Sequence, residues 1–140
     1  MSWDGLIMNL GNVKSIGDLP KDFQPPPIGT SELVASALRR MFPDAEHYEG
    51  MSSLQGEDFW LELAHGCHTD AAGMVSAVGV RSNAGSGSLE PIRRVCDEFG
   101  ARLFDCQIGE LADLAEGTEE SMKTFAEWRD GVLSRPGWQD

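Results

Sequence analysis

The sequence has little positive charge. Its 140 residues include 11 Lys and Arg against 23 Asp and Glu, which gives a formal net charge of −12 at pH 7. Proteins bind phosphate backbones and anionic lipid surfaces through a positive field. We therefore expect no nucleic-acid partner and no membrane partner, and a basic protein matches this charge better.

Cysteines and long apolar runs are also scarce. Three cysteines, Cys67, Cys96 and Cys106, are an odd and sparse set that is typical of reduced thiols rather than of a disulfide framework. No basic segment with a long apolar run opens the chain, and no stretch approaches the length of a transmembrane helix. These absences predict a cytoplasmic protein.

Recognised catalytic and cofactor-binding motifs are missing. No serine lies in a nucleophile-elbow pattern, and the glycine-serine loop at residues 83–88 has neither the Walker lysine nor the dinucleotide pattern of glycines. We expect no cofactor. The lack of these motifs favours a non-enzymatic protein, and an enzyme remains the alternative.

The patterns that are present predict strands and helices in alternation. In residues 59–64 and 77–81 a large apolar residue occupies every second position, with Glu62 and Arg81 among the residues between, which is typical of strands with one buried face. Apolar spacing predicts helices after Thr30 or Ser31 and after Ser86 or Ser88, and a last helix capped by Thr118. Shorter strands are expected near residues 3–10 and 101–106.

These elements predict a single α+β domain over residues 1–140, with a core of about residues 1–114 and a helical extension of about residues 115–135. We expect an antiparallel or mixed sheet of about four or five strands with two helices on one face. The additional C-terminal helix would cover an edge or the other face.

The densest polar cluster is a candidate metal site. His65, Cys67 and His68 lie on one loop and carry ligands suited to zinc or another borderline metal. The spacing is unlike a structural zinc site, which gathers paired ligands from two separate places. A mobile polar loop between two strands explains the same residues.

The glycine-serine loop is a candidate anion site. Arg81 ends the second strand, and Asn83, Ser86 and Ser88 precede a helix whose first N–H groups are free to bind an anion. The alternative is a flexible strand-to-helix loop with a serine cap.

Trp60 and Glu62 are candidate interaction residues. Trp60 should point away from Phe59, Leu61 and Leu63 on its strand, so it either lies under the C-terminal helix or contacts a partner. Glu62 should lie on the same, wetter side.

The order of several short motifs resembles a group of small uncharacterised bacterial proteins. The motifs are Met1-Ser2-Trp3-Asp4, Pro26-Pro27-Ile28-Gly29, Phe42-Pro43, the Gly79-Val80-Arg81-Ser82-Asn83-Ala84-Gly85 strand and loop, and Phe104-Asp105-Cys106-Gln107-Ile108-Gly109-Glu110. The resemblance covers most of Met1 to Leu114, so the last helix looks like an addition. It implies no established activity.

Together these features favour a protein-interaction module with a basic partner, for example an immunity-like inhibitor of a basic toxin. The alternative is a protein or enzyme that binds a small anion or phosphate through Arg81 and the loop from Asn83 to Ser88, with His65 or His68 as an acid-base group. The sequence does not indicate an oligomeric state.

Overall fold

Seven antiparallel strands form one sheet in a computed structural model of the chain, which describes residues 2–85, 87–112, 122–127 and 130. In spatial order the strands are β3 (Glu46–Tyr48), β4 (Met51–Gln55), β5 (Trp60–Ala64), β7 (Ala77–Ser82), β1 (Trp3–Met8), β8 (Arg102–Asp105) and β9 (Glu110–Leu111). A separate pair joins β2 (Gly29–Thr30) to β6 (Met74–Val75). The predicted α+β class is confirmed, and the sheet is larger than expected.

Two α-helices precede and follow the strands β3 to β7 in the sequence. The first, α1 (Ser31–Met41), is capped by Thr30, whose Oγ1 accepts a hydrogen bond from the Leu33 N–H at 3.1 Å. The second, α2 (Leu89–Phe99), ends at Gly100, which adopts a left-handed φ of 58°. Residues 122–127 are also helical. Both expected middle helices are therefore present, and glycine suits the second helix end because it lacks a Cβ.

The core lies between the helices and one face of the sheet. Strand residues at alternate positions, such as Ile7, Leu63 and Val80, are fully buried there. They share one cluster with the buried side chains of both helices and with Met122. Helical residues 122–127 thus pack on the same face as α1 and α2, so the alternative in which the C-terminal helix covers the other face is wrong for these residues.

The predicted boundary between the core and the helical extension, at residues 114–115, lies outside the described residues, and so does the predicted helix cap Thr118.

No helix in the described ranges has both the length and the hydropathy needed to cross a membrane.

Candidate functional site

The face of the sheet opposite α1, α2 and helical residues 122–127 is here called the open face, and the single helical turn at Gly66–His68 contacts it, through His68 over Gly79. Along each strand, every second side chain points to the open face instead of the core, and most of these side chains are partly exposed. Because every strand pair is antiparallel and in a defined register, residues that face one another form rows across the sheet. Two such rows differ sharply in chemistry.

One row, here called the apolar row, crosses all seven strands. It spans six inter-strand steps, or roughly 29 Å at the usual spacing between strands. Its end residue Tyr48 is 53% exposed, and the other six are partly exposed. In order across the sheet the members are Tyr48, Met51, Ala64, Gly79, Leu6, Phe104 and Leu111.

The adjacent row, here called the carboxylate row, holds three acids and one base. Arg81 stands between Glu62 on β5 and Asp4 on β1, and its Nε lies 3.8 Å from Asp4 Oδ1. Within the described part of the chain, Glu62 forms no ion pair. The members in order are Glu46, Ser53, Glu62, Arg81 and Asp4. The row is therefore net acidic and lies beside an apolar strip.

Trp60 and Glu62, the predicted interaction residues, both lie on the open face. Trp60 is opposite Gln55 on β4 and is partly exposed, so it packs neither in the core nor under the helical residues 122–127. Its backbone N–H donates to Asn83 Oδ1 at 3.2 Å. Tryptophan and a carboxylate thus lie two residues apart on one accessible surface.

The predicted metal ligands are not brought together. His65 continues the inward alternation of Leu61 and Leu63 and is 3% exposed. His68 lies on the open face, where its Nε2 would be 3.3 Å from a Cβ placed on Gly79. The two imidazoles are thus on opposite faces of the sheet, and Cys67 is exposed between them. In the described ranges, no three His, Cys, Asp or Glu side chains are grouped to hold a metal ion.

His65 is instead a buried, poorly satisfied imidazole. Its Nδ1 has no hydrogen-bond partner. Burial, and then the charge of Arg39 on α1, lower the pKa of His65 below its ordinary value of 6.5. Both effects disfavour the imidazolium form, so His65 is expected to be neutral at pH 7.

Arg81 and the glycine-serine loop also lie apart. Arg81 points to the open face, whereas α2 packs on the core face, so the guanidinium is not directed at the start of α2. The loop uses its own polar groups internally. Asn83 Oδ1 accepts from the N–H groups of Trp60 and Gly85, and buried Ser82 Oγ donates to Ser88 Oγ at 2.9 Å. Ser86 lies outside the described residues.

The loop glycines have a packing explanation. A Cβ on Gly85 would collide with the carbonyl oxygen of Asp58, and a Cβ on Gly87 would lie 3.1 Å from the Phe59 ring. The segment of Asp58 and Phe59 therefore rests directly on the loop. Glycine at position 85 permits close contact between backbones, and Gly87 adopts a left-handed φ of 92°, so both glycines are explained without a phosphate.

A cleft that the sequence did not reveal, here called the α2 cleft, opens beside this loop. Its volume is about 520 Å³, and it lies between the loop, the first half of α2 and helical residues 122–127. Met122 and Ala84 are buried apolar residues on its wall, while Arg93 and Lys123 supply positive charge. The two cations are 30 positions apart in the sequence, so only the packing of the two helical segments brings them to one cleft.

No protein-family model, no curated protein and no solved structure matches this chain.

Proposed function

We propose that this chain is a non-enzymatic interaction module that binds a basic protein through the open face. The observation that carries the proposal is the pairing of the apolar row with the carboxylate row on a face that neither α1, α2 nor helical residues 122–127 cover. Apolar contact supplies affinity at protein interfaces, and complementary charge supplies orientation and a faster encounter. An inhibitor of a basic toxin would be one such module.

Charge also argues against a second copy as the occupant. Each chain carries a net charge of −12, so two open faces would bring like charges together. Arg81 is the only cation within the carboxylate row, and two acids flank it. A partner with lysines or arginines around an apolar patch is complementary to both rows.

Trp60 is the expected anchor of this interface. It combines a large apolar surface with partial exposure, and it lies next to Glu62 and the carboxylate row. Tryptophan is among the residues that most often dominate binding energy. Loss of its ring should weaken the complex more than loss of a charge at the rim.

Co-purification tests the proposal. The tagged wild-type chain, Trp60→Ala and the α1 surface variant Glu32→Ala would be isolated from the source organism at low salt and weighed by native mass spectrometry. We expect a basic protein on the wild type and on Glu32→Ala, less of it on Trp60→Ala, and weaker retention of it at about 0.5 M salt. An acidic partner, no partner, or equal recovery with folded Trp60→Ala would contradict the proposal.

A further inference from the structure

We propose that the α2 cleft binds a small amphipathic anion, with one carboxylate or phosphate group and a short apolar tail. The site is separate from the open face, because α2 and helical residues 122–127 pack on the other side of the sheet. It also differs from the anion site expected from the sequence. The cations are Arg93 and Lys123, since Arg81 lies on the opposite face.

The size and floor of the α2 cleft suit an apolar tail. Its volume of about 520 Å³ falls within the ordinary range for small-molecule pockets. Met122 is 5% exposed and Ala84 is 8% exposed, and both contribute to its wall together with Leu89 and Ala126. A short hydrocarbon chain placed here would be removed from water on several sides, which favours binding.

The charges at the α2 cleft suit an anionic head group. Among the described residues of the wall, Arg93 and Lys123 outnumber the one acid, Glu90, which accepts a hydrogen bond from Arg93 at 3.0 Å. The described part of the wall thus carries a net positive charge in a chain of net charge −12. The positive end of the α2 dipole lies at the same wall and adds to this field, because Leu89 opens the helix.

Lys123 should contribute most to head-group selection. It is exposed and extends from helical residues 122–127, whereas Arg93 already bonds to Glu90. An ammonium acts as a point charge and accepts either a carboxylate or a phosphate. The positive charge at position 123 should therefore decide binding, whether the head group is a carboxylate or a phosphate.

An NMR titration of the full chain tests this site. The probes are hexanoate, hexyl phosphate, 1-hexanol and inorganic phosphate, and the readout is the amide shifts of residues 84–90 and 122–127. We expect hexanoate or hexyl phosphate, or both, to shift these resonances with Kd near or below about 1 mM. Hexanol and inorganic phosphate should bind at least tenfold more weakly.

Matched variants locate the binding. Lys123→Gln should weaken the better anion at least tenfold, Lys123→Arg should restore it, and Lys21→Gln, with the same change of net charge away from the cleft, should leave it unchanged. The inference is overturned if neither amphiphile shifts these residues at about 10 mM, if hexanol or inorganic phosphate binds as well as the anions, or if folded Lys123→Gln binds like the wild type. A partner at the open face would be unaffected by any of these results.

Discussion

His65 is a single residue whose burial should make stability depend on pH. Its folded pKa is below 6.5, first because of burial and then because of Arg39. Well above pH 6.5 the imidazole is neutral in both states, so it adds no dependence there. As the pH falls below 6.5, the unfolded chain takes up a proton that the folded chain resists, and the free energy of unfolding decreases until the folded pKa is reached.

The contribution of His65 can be isolated by substitution. We expect the wild type to lose up to about 1.4 kcal/mol per pH unit between pH 6.5 and the folded pKa through this residue. Urea unfolding of wild type, His65→Gln and His68→Gln from pH 7.5 to 5 would measure it. His65→Gln should flatten that part of the decline and His68→Gln should retain it; equal slopes for all three proteins would refute the assignment.

Gly85 makes a second prediction at the residue scale. A methyl group at this position would collide with the Asp58 carbonyl oxygen, so either the loop or the Asp58–Phe59 segment must move. Gly85→Ala should therefore lower the free energy of unfolding by about 1–3 kcal/mol, as overpacking does. Gly17→Ala is a suitable comparison, because a Cβ there would only approach Ser15 Oγ at 3.8 Å. Equal midpoints in urea for the two variants would show that the contact at Gly85 is unimportant.

At the scale of elements, α1 depends on its first hydrogen bond. Thr30 Oγ1 accepts from the Leu33 N–H, one of the donors that the helix itself leaves unpaired. Thr30→Ala should cost about 1 kcal/mol of stability, while Thr30→Ser, which keeps the hydroxyl, should cost much less. Thermal or urea unfolding of the pair measures the difference, and a serine variant as unstable as the alanine variant would contradict the capping role.

Most elements with a clear local signal were predictable from sequence. Helix α1 begins after Thr30, α2 ends at Gly100, and β5 and β7 are strands with one buried face as the alternation of their residues indicated. The strand count was too low because short elements have weak patterns. β9 has only two residues, and β4 reads Met-Ser-Ser-Leu-Gln, so pairing with neighbours rather than local preference determines both as strands.

The side of the sheet that the C-terminal helix covers was not predictable from sequence for a related reason. Its apolar spacing indicated a buried side and gave no information about which surface would bury it. Met122 joins the same cluster as Ile92 and Val95 of α2. An amphipathic pattern therefore predicts that a helix packs, whereas the surface it packs on depends on contacts distant in sequence.

The candidate site could be predicted only in part. Alternation along β5 correctly put Trp60 and Glu62 on one side of the strand, and the same reasoning applied to β7 puts Arg81 on the open face. The two rows across the sheet depend on the strand order and on the register of six pairings, which no single segment encodes. Arg81 is close to the glycine-serine loop in the sequence, but this proximity was misleading. The Arg81 side chain points to the open face, whereas the loop leads into α2, which packs on the core face.

At the scale of the whole molecule, charge and shape point to the same surface. A net charge of −12 would attract a basic partner from every direction, and the open face combines the acids of the carboxylate row with the side chains of the apolar row. Long-range attraction is screened by salt, while apolar contact is not. Affinity should consequently fall with salt without vanishing.

The most direct measurement is the Kd of the recovered basic partner for wild type, Glu62→Lys and Glu32→Lys. The two variants change the net charge equally, one within the carboxylate row and one on the exposed surface of α1. We predict that the Kd of Glu62→Lys is at least tenfold higher than the Kd of Glu32→Lys. Equal Kd values for the two folded variants would show that the partner responds to net charge alone and does not bind the open face.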